Sequence, residues 1–240
     1  MRSSFANGTI AVAAAGLAIG GAAFAALYPT SQIFGPVLVA GDDPGELALT
    51  YDDGPNPAVT PRLLEVLERY GIKATFFLIG DFVRQERNLA REVAAAGHVI
   101  GNHSMTHPRL AWQPAERVRQ ELKSTSDLLE DVIGVPVRYF RPPYGARRPY
   151  VMRAAADLGM TTVQWNVAAS DWNPIGAEAI AVNVRRGIER NRRRGRGSNI
   201  LLHDGGHLGL GANRQATVAA TAELLHRYAS QRFVTVGAWV

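Results

Sequence analysis

The chain contains no cysteine, which excludes disulfides, a thiolate nucleophile and cysteine-ligated zinc together. Any metal must therefore be held by histidine and carboxylate. The chain also lacks an internal repeat, an aromatic stacking platform and a recognisable DNA-binding motif. The net charge of +5 is accordingly not read as a nucleic-acid signal, and no nucleic-acid partner is expected. Much of that charge lies in Arg185–Gly197, which contains NRRRGRG and reads as a solvated helix end and loop. Charge of either sign is missing from Thr9 to Leu27, TIAVAAAGLAIGGAAFAAL, which follows Arg2 at the extreme N-terminus. This run is borderline in length between a secretory h-region and a membrane span, and its Ala and Gly make it weakly apolar. Ala23-Phe24-Ala25 fits a small-residue cleavage site. The segment reads as an export signal, cleaved or kept as an anchor. It is the only route to membrane contact in the sequence, and it places the protein outside the cytoplasm.

At 240 residues, one catalytic domain is the default. The expected organisation is 1–28 as signal or anchor, 29–45 as a Pro/Gly/Asp-rich linker and 46–240 as a single domain. Within that domain strands and helices alternate. Strands are expected at Glu46–Asp52, Lys73–Ile79, His98–Asn102, into Phe140, in MTTVQWNV (Met160–Val167), in NILLH and in the final RFVTV. Helices are expected over Pro61–Tyr70, Val83–Ala96, Pro114–Ile133, after Pro149, over Glu178–Arg190 and over Thr217–Tyr228, with Thr60 starting the first and Gly97 and Gly134 ending the second and third. About seven strand–helix repeats imply a parallel sheet, most simply an α/β fold with a distorted or incomplete (β/α) barrel.

Polar residues fall at the ends of these strands: Asp52 and Asp53, His103, Arg141, Asp171 and His203. In parallel barrels that rim carries the active site, so residues far apart in sequence can converge there. LALTYDDGPNP, Leu47–Pro57, ends an apolar strand in two adjacent carboxylates. A solvated turn uses the same residue types; a metal or acid–base site at the mouth of a sheet is the sharper reading. His103-Ser-Met-Thr-His107 brings two imidazoles four residues apart, able to share a metal, and Pro108 confines them to a single turn in a loop. A carboxylate from elsewhere would complete two imidazoles and one carboxylate with an open position, the arrangement of a hydrolytic zinc site. RPPYG (Arg141–Gly145), SDW (Ser170–Trp172) and LLHD (Leu201–Asp204) are each unremarkable alone. His207 in HDGGHLGLG reads as an exposed loop histidine, and His98 and His226 as structural.

In order, TYDDGP, HSMTH, RPPYG, SDW and LLHD resemble the five motifs of the polysaccharide deacetylases of the NodB-homology type, carbohydrate esterase family 4. The likeness spans Thr50 to Asp204 and by implication the domain 46–240. It implies that Asp53, His103 and His107 bind a divalent metal, zinc being expected. It further implies that Asp52 is the general base, oriented by Arg141, and that the backbone amide near Tyr144 helps to stabilise the oxyanion. His203 would be the general acid, steadied by Asp171, with Trp172 walling the site and Leu201 and Leu202 forming an apolar floor. The implied substrate is an N-acetylated polysaccharide or oligosaccharide such as peptidoglycan or a chitin-like glycan. Two other readings stay open: an amidohydrolase of the same fold acting on a non-glycan amide, and a non-catalytic glycan-binding relative. The chain departs from the family pattern at Tyr51, where Phe is commoner, and at Ala168, where an acid is usual.

Overall fold

The structure, a computed structural model, describes residues 24–240. Most of the expected export segment lies outside the described residues; its last residues, 24–27, form a helical turn. No helix of the described residues is long and apolar enough to cross a membrane.

The strands are β1 (Glu46–Gly54), β2 (Thr75–Leu78), β3 (Val99–Asn102), β4 (Tyr139–Phe140), β5 (Thr161–Thr162), β6 (Val167–Ala168), β7 (Ser198–His203) and β8 (Arg232–Phe233). Seven of them lie side by side in the order β5-β4-β3-β2-β1-β7-β6, all parallel, with β8 against the start of β1. The helices are α1 (Thr60–Arg69), α2 (Gly80–Gln85), α3 (Arg87–Ala95), α4 (Ala115–Ile133), α5 (Pro149–Asp157), α6 (Ala177–Arg192) and α7 (Gln215–Arg227). This is the expected incomplete (β/α) barrel, and its opening lies between β5 and β6.

Strand alternation divides the core in two. In β1, Leu47, Leu49 and Tyr51 face the helices and join the main apolar cluster with Phe76, Leu78 and Leu202. The Tyr51 hydroxyl meets Thr221 of α7 at 3.0 Å. The alternate residues face the barrel interior, where Phe77, Val163 and Val236 pack as a second, smaller cluster.

Three expectations are corrected. Met160–Val167 is not one strand: Thr161–Thr162 pairs with β4 and Val167–Ala168 pairs with β7, at opposite edges of the sheet. The extended chain between them spans the barrel opening, so its periodicity reads as continuous while its partners change. The helix expected over Val83–Ala96 is two helices broken at Glu86, whose φ of −119° and ψ of 48° are not helical. Thr60 does open α1, but its hydroxyl makes no cap. It accepts from the Asn56 amide and donates to Asp204 Oδ2, at 2.9 and 2.5 Å. Residues 29–45 lie along the domain: Leu38 bridges Val163, and the buried Arg147 guanidinium donates to the carbonyls of Tyr28, Pro29 and Ser31.

Candidate active site

Asp52 and Asp53 end β1, and alternation alone would send them to opposite faces. The β1–β2 register shifts between Asp52 and Gly54, and Asp53 takes a left-handed φ of 70°. The extra residue of this bulge turns Asp53 back to the side that Asp52 already faces. Both carboxylates are buried and line one cavity of 780 Å³ at the C-terminal rim of the barrel. The other left-handed non-glycine residues among those described are Ser104, His107, Tyr144 and Ser170. All five lie in the DDG, HSMTH, RPPYG and SDW stretches, so the strained backbone is concentrated in the segments that bring Asp53, His107 and Tyr144 to the cavity.

HSMTH follows β3 as an irregular loop rather than a helical turn. Buried Glu121 of α4 holds it: one carboxylate oxygen accepts from the Met105 and Thr106 amides and the other from the Thr106 hydroxyl. Ser104 Oγ accepts the His107 amide at 3.1 Å. His103 Nδ1 lies 2.7 Å from the Arg141 carbonyl. That oxygen only accepts, so Nδ1 carries the proton and Nε2 turns a lone pair inward. His103 Nε2 and His107 Nε2 stand 3.4 and 3.2 Å from the same Asp53 oxygen, Oδ1. Burial, with His103 beside it, pushes His107 down to about 3, only partly opposed by Asp53, so its imidazole is neutral at neutral pH. Burial alone would raise Asp53, but the neighbouring imidazoles, His103 foremost and with them His203, outweigh it and hold the carboxyl well below the usual range.

Asp53 Oδ1 has no hydrogen-bond partner. A carboxylate oxygen facing imidazole lone pairs, all buried, is repulsive without a cation among them. Ligand atoms about 2.0–2.2 Å from a tetrahedral zinc sit roughly 3.3–3.6 Å apart, close to the 3.4 and 3.2 Å that separate His103 and His107 from Asp53 Oδ1. The donor set therefore fits a divalent metal.

Arg141, fully buried inside the barrel, donates through Nη1 to Asp52 Oδ1 and Thr50 Oγ1, each at 2.8 Å. Burial favours the neutral guanidine, and the charge and hydrogen bond of Asp52 oppose this. Asp52 is the register partner of His203 on β7. His203 Nδ1 donates to Asp171 Oδ1 at 2.9 Å. Burial would lower His203, but Asp171 overrides it and the imidazole is pushed up to about 9. Asp171 Oδ2 accepts from the His203 amide and the Thr217 hydroxyl at 2.8 and 2.9 Å, and Arg214 Nη1 donates to the Asp171 carbonyl. Asp171 is thus held by α7 and its approach, without an acid at position 168.

Tyr144 and Trp172 are exposed on the cavity wall, with the Trp172 ring edge-on to His203 at 5.6 Å. The apolar floor is corrected. Leu201 lines the cavity, whereas Leu202, one residue on, points the other way into the core with Tyr51. The sequence reading missed Glu121, Asn56, Arg214 and Thr217. Glu121 had a signal, since it stands on the same helix face as Val118, Leu122, Thr125 and Leu129. A carboxylate on a buried face needs partners.

Fold and site together define a parallel α/β protein with paired carboxylates and clustered histidines, able to hold a divalent metal, at its C-terminal rim. Residues 40–163 match the polysaccharide deacetylase family. A peptidoglycan-N-acetylglucosamine deacetylase of Bacillus cereus is 35% identical over 80% of this chain, which spans 66% of that relative's length. A chitooligosaccharide deacetylase of Rhizobium leguminosarum bv. trifolii is 33% identical over 82% of this chain and 92% of the relative. The crystal structure of a peptidoglycan N-acetylglucosamine deacetylase superposes with a TM-score of 0.77 at 31% identity, covering 85% of this chain and 91% of that one. The chain belongs to the polysaccharide deacetylase family, and it is an enzyme of the deacetylase class.

Proposed function

We propose that the protein hydrolyses N-acetyl groups on the glucosamine units of a cell-envelope glycan, peptidoglycan or a chitin-like oligosaccharide, outside the cytoplasm. The substrate class is supported by the relatives, named for peptidoglycan and for chitooligosaccharides. The location is supported by the uncharged Thr9–Leu27 run behind Arg2, read as an export signal or anchor preceding a 46–240 catalytic domain.

Asp53, His103 and His107 would hold the metal, zinc being the proposed ion for a nitrogen–oxygen donor set. Bound there, it supplies a Lewis acid and activates water. Asp52, fixed by the Arg141 guanidinium, takes a proton from the attacking water as the new C–O bond forms at the acetyl carbon. The Tyr144 backbone, beside the metal ligands, is the candidate partner for the developing oxyanion. His203, kept protonated by Asp171, gives its Nε2 proton to the leaving amine as the C–N bond breaks. Acetate and a glucosamine amine result. Trp172 and Tyr144 offer exposed aromatic faces to a sugar ring, and Leu201 an apolar contact for the acetyl methyl.

One observation carries this reading: Asp52 and His203 are register partners on neighbouring strands, with Asp53, His103 and His107 gathered beside them. Acetate release from chitooligosaccharide and from peptidoglycan, with Asp52→Asn as control, tests it. Release from neither glycan, or undiminished release by the variant, would remove it.

A further inference from the structure

His207 has no part in the mechanism above, yet it does not lie apart from the site. Its ring stacks on that of His107, centroids 4.6 Å apart and 21° between planes, and meets Tyr144 edge-on at 5.5 Å. Nδ1 stands 3.9 Å from Asp53 Oδ2, the oxygen that the other two imidazoles leave free. Asp53, His107 and His207 each present a ligand atom, all within 4.8 Å of one another.

The approach is built by the backbone around it. His207 sits in the loop between β7 and α7, and one buried side chain, Asn56, clasps both ends of that loop. Asn56 Nδ2 donates to the carbonyls of Asp204 and Ala212, at 2.9 and 2.8 Å, and Oδ1 accepts the Gly211 amide at 3.2 Å. Arg214 Nε adds a bond to the Gly205 carbonyl at 2.8 Å. Gly211, at one clasp, takes a left-handed φ of 82° that glycine adopts readily, and the Gly209 amide closes a turn back onto the Gly206 carbonyl at 3.2 Å. The loop is therefore anchored at its feet, with an imidazole between them facing the second oxygen of the Asp53 carboxylate.

We propose that His207 is a third imidazole ligand of the metal held by Asp53, His103 and His107. The proposal rests on that metal assignment. It adds a donor from a loop that also walls the cavity, which ties occupancy of the metal to closure of the cavity mouth. Zinc with four protein donors is four-coordinate, and it can expand to five when water or substrate joins.

The test uses the full chain loaded with zinc. X-ray absorption at the zinc edge counts the imidazoles, and competition with a chromophoric chelator measures affinity, for wild type, His207→Ala, His207→Gln and, as controls, His103→Ala and His107→Ala. Circular dichroism confirms that each variant folds. The wild type is expected to show three imidazoles and the two His207 variants two, with affinity lowered about tenfold or more, since even an outer partner of a metal ligand is worth about that. Two imidazoles in the wild type, or unchanged affinity in both His207 variants while His103→Ala loses its metal, overturns the role of His207 and leaves the underlying site intact. Wild-type zinc retention by His103→Ala and His107→Ala overturns both.

Discussion

Arg141 reaches Asp52 at 2.8 Å through the buried interior of the barrel, whereas Asp53, next in sequence, is approached by imidazoles. Adjacent carboxylates thus have different electrostatic partners and should fail differently when changed. Asp52→Asn is expected to keep its metal and to lose about 100-fold or more in turnover, as for a positioned general base. Asp52→Ala also strands a buried guanidinium and should cost about 3–5 kcal/mol in stability. Metal content by mass spectrometry, acetate release and urea unfolding check these outcomes.

Asp53→Asn, by contrast, should lose metal and activity together, with excess zinc restoring part of the activity. His103→Ala and His107→Ala should lose zinc on dialysis. A metal-free Asp52→Asn protein, or zinc-replete histidine variants, would contradict the division of labour.

The pair His203–Asp171 sets an alkaline limit. His203 must be protonated to serve as acid, and Asp171 pushes its pKa up to about 9. Turnover should therefore fall as pH rises through about 9. In Asp171→Asn the support is gone and the limb should move down toward the ordinary histidine value near 6.5. For stability the sign is the same: a raised histidine pKa contributes fully below about 6.5 and is lost as pH rises through about 9. A pH–rate profile and pH-dependent melting of the metal-free protein measure both.

Gly205 admits no side chain, since a Cβ there would run into the Asp53 carbonyl. Gly205→Ala must push β1 aside at the bulge. A Tm lower by more than about 5 °C, consistent with a loss of roughly 2 kcal/mol in a domain of this size, and weakened zinc binding are expected in calorimetry and chelator competition.

Residues 1–45 fused to a reporter should carry it out of the cytoplasm. A reporter recovered from the cytoplasmic fraction would argue against the proposed location.

The fold was legible because alternation of apolar strands with amphipathic helices is a local property, and each of Glu46–Asp52, Pro114–Ile133 and NILLH carries it within its own residues. The sequence also marks the rim, since Asp52, His103, Arg141, Asp171 and His203 all follow strand runs. What it could not mark depended on pairing. MTTVQWNV keeps one extended pattern although its halves join opposite sheet edges. Leu201 and Leu202 are identical in type, and only the register of β7 decides which one meets the cavity. The bulge at Asp53 is a relation between β1 and β2. Glu121 and Asn56 act on loops distant in sequence, and His207, read as an exposed loop residue, is indeed exposed while its ring lies over the site.

The pairing of Asp52 with His203 across β1 and β7 makes the separation of the proposed base and acid a matter of main-chain spacing, about 4.8 Å between adjacent strands. Gauged in this way, the interval has a tight mechanical tolerance. Repacking of the helices outside the sheet leaves it unchanged, while a slip of one residue between the two strands moves it by a full backbone step. Variation among relatives should accordingly accumulate in side chains and loops around this ladder and be rare as insertions within it.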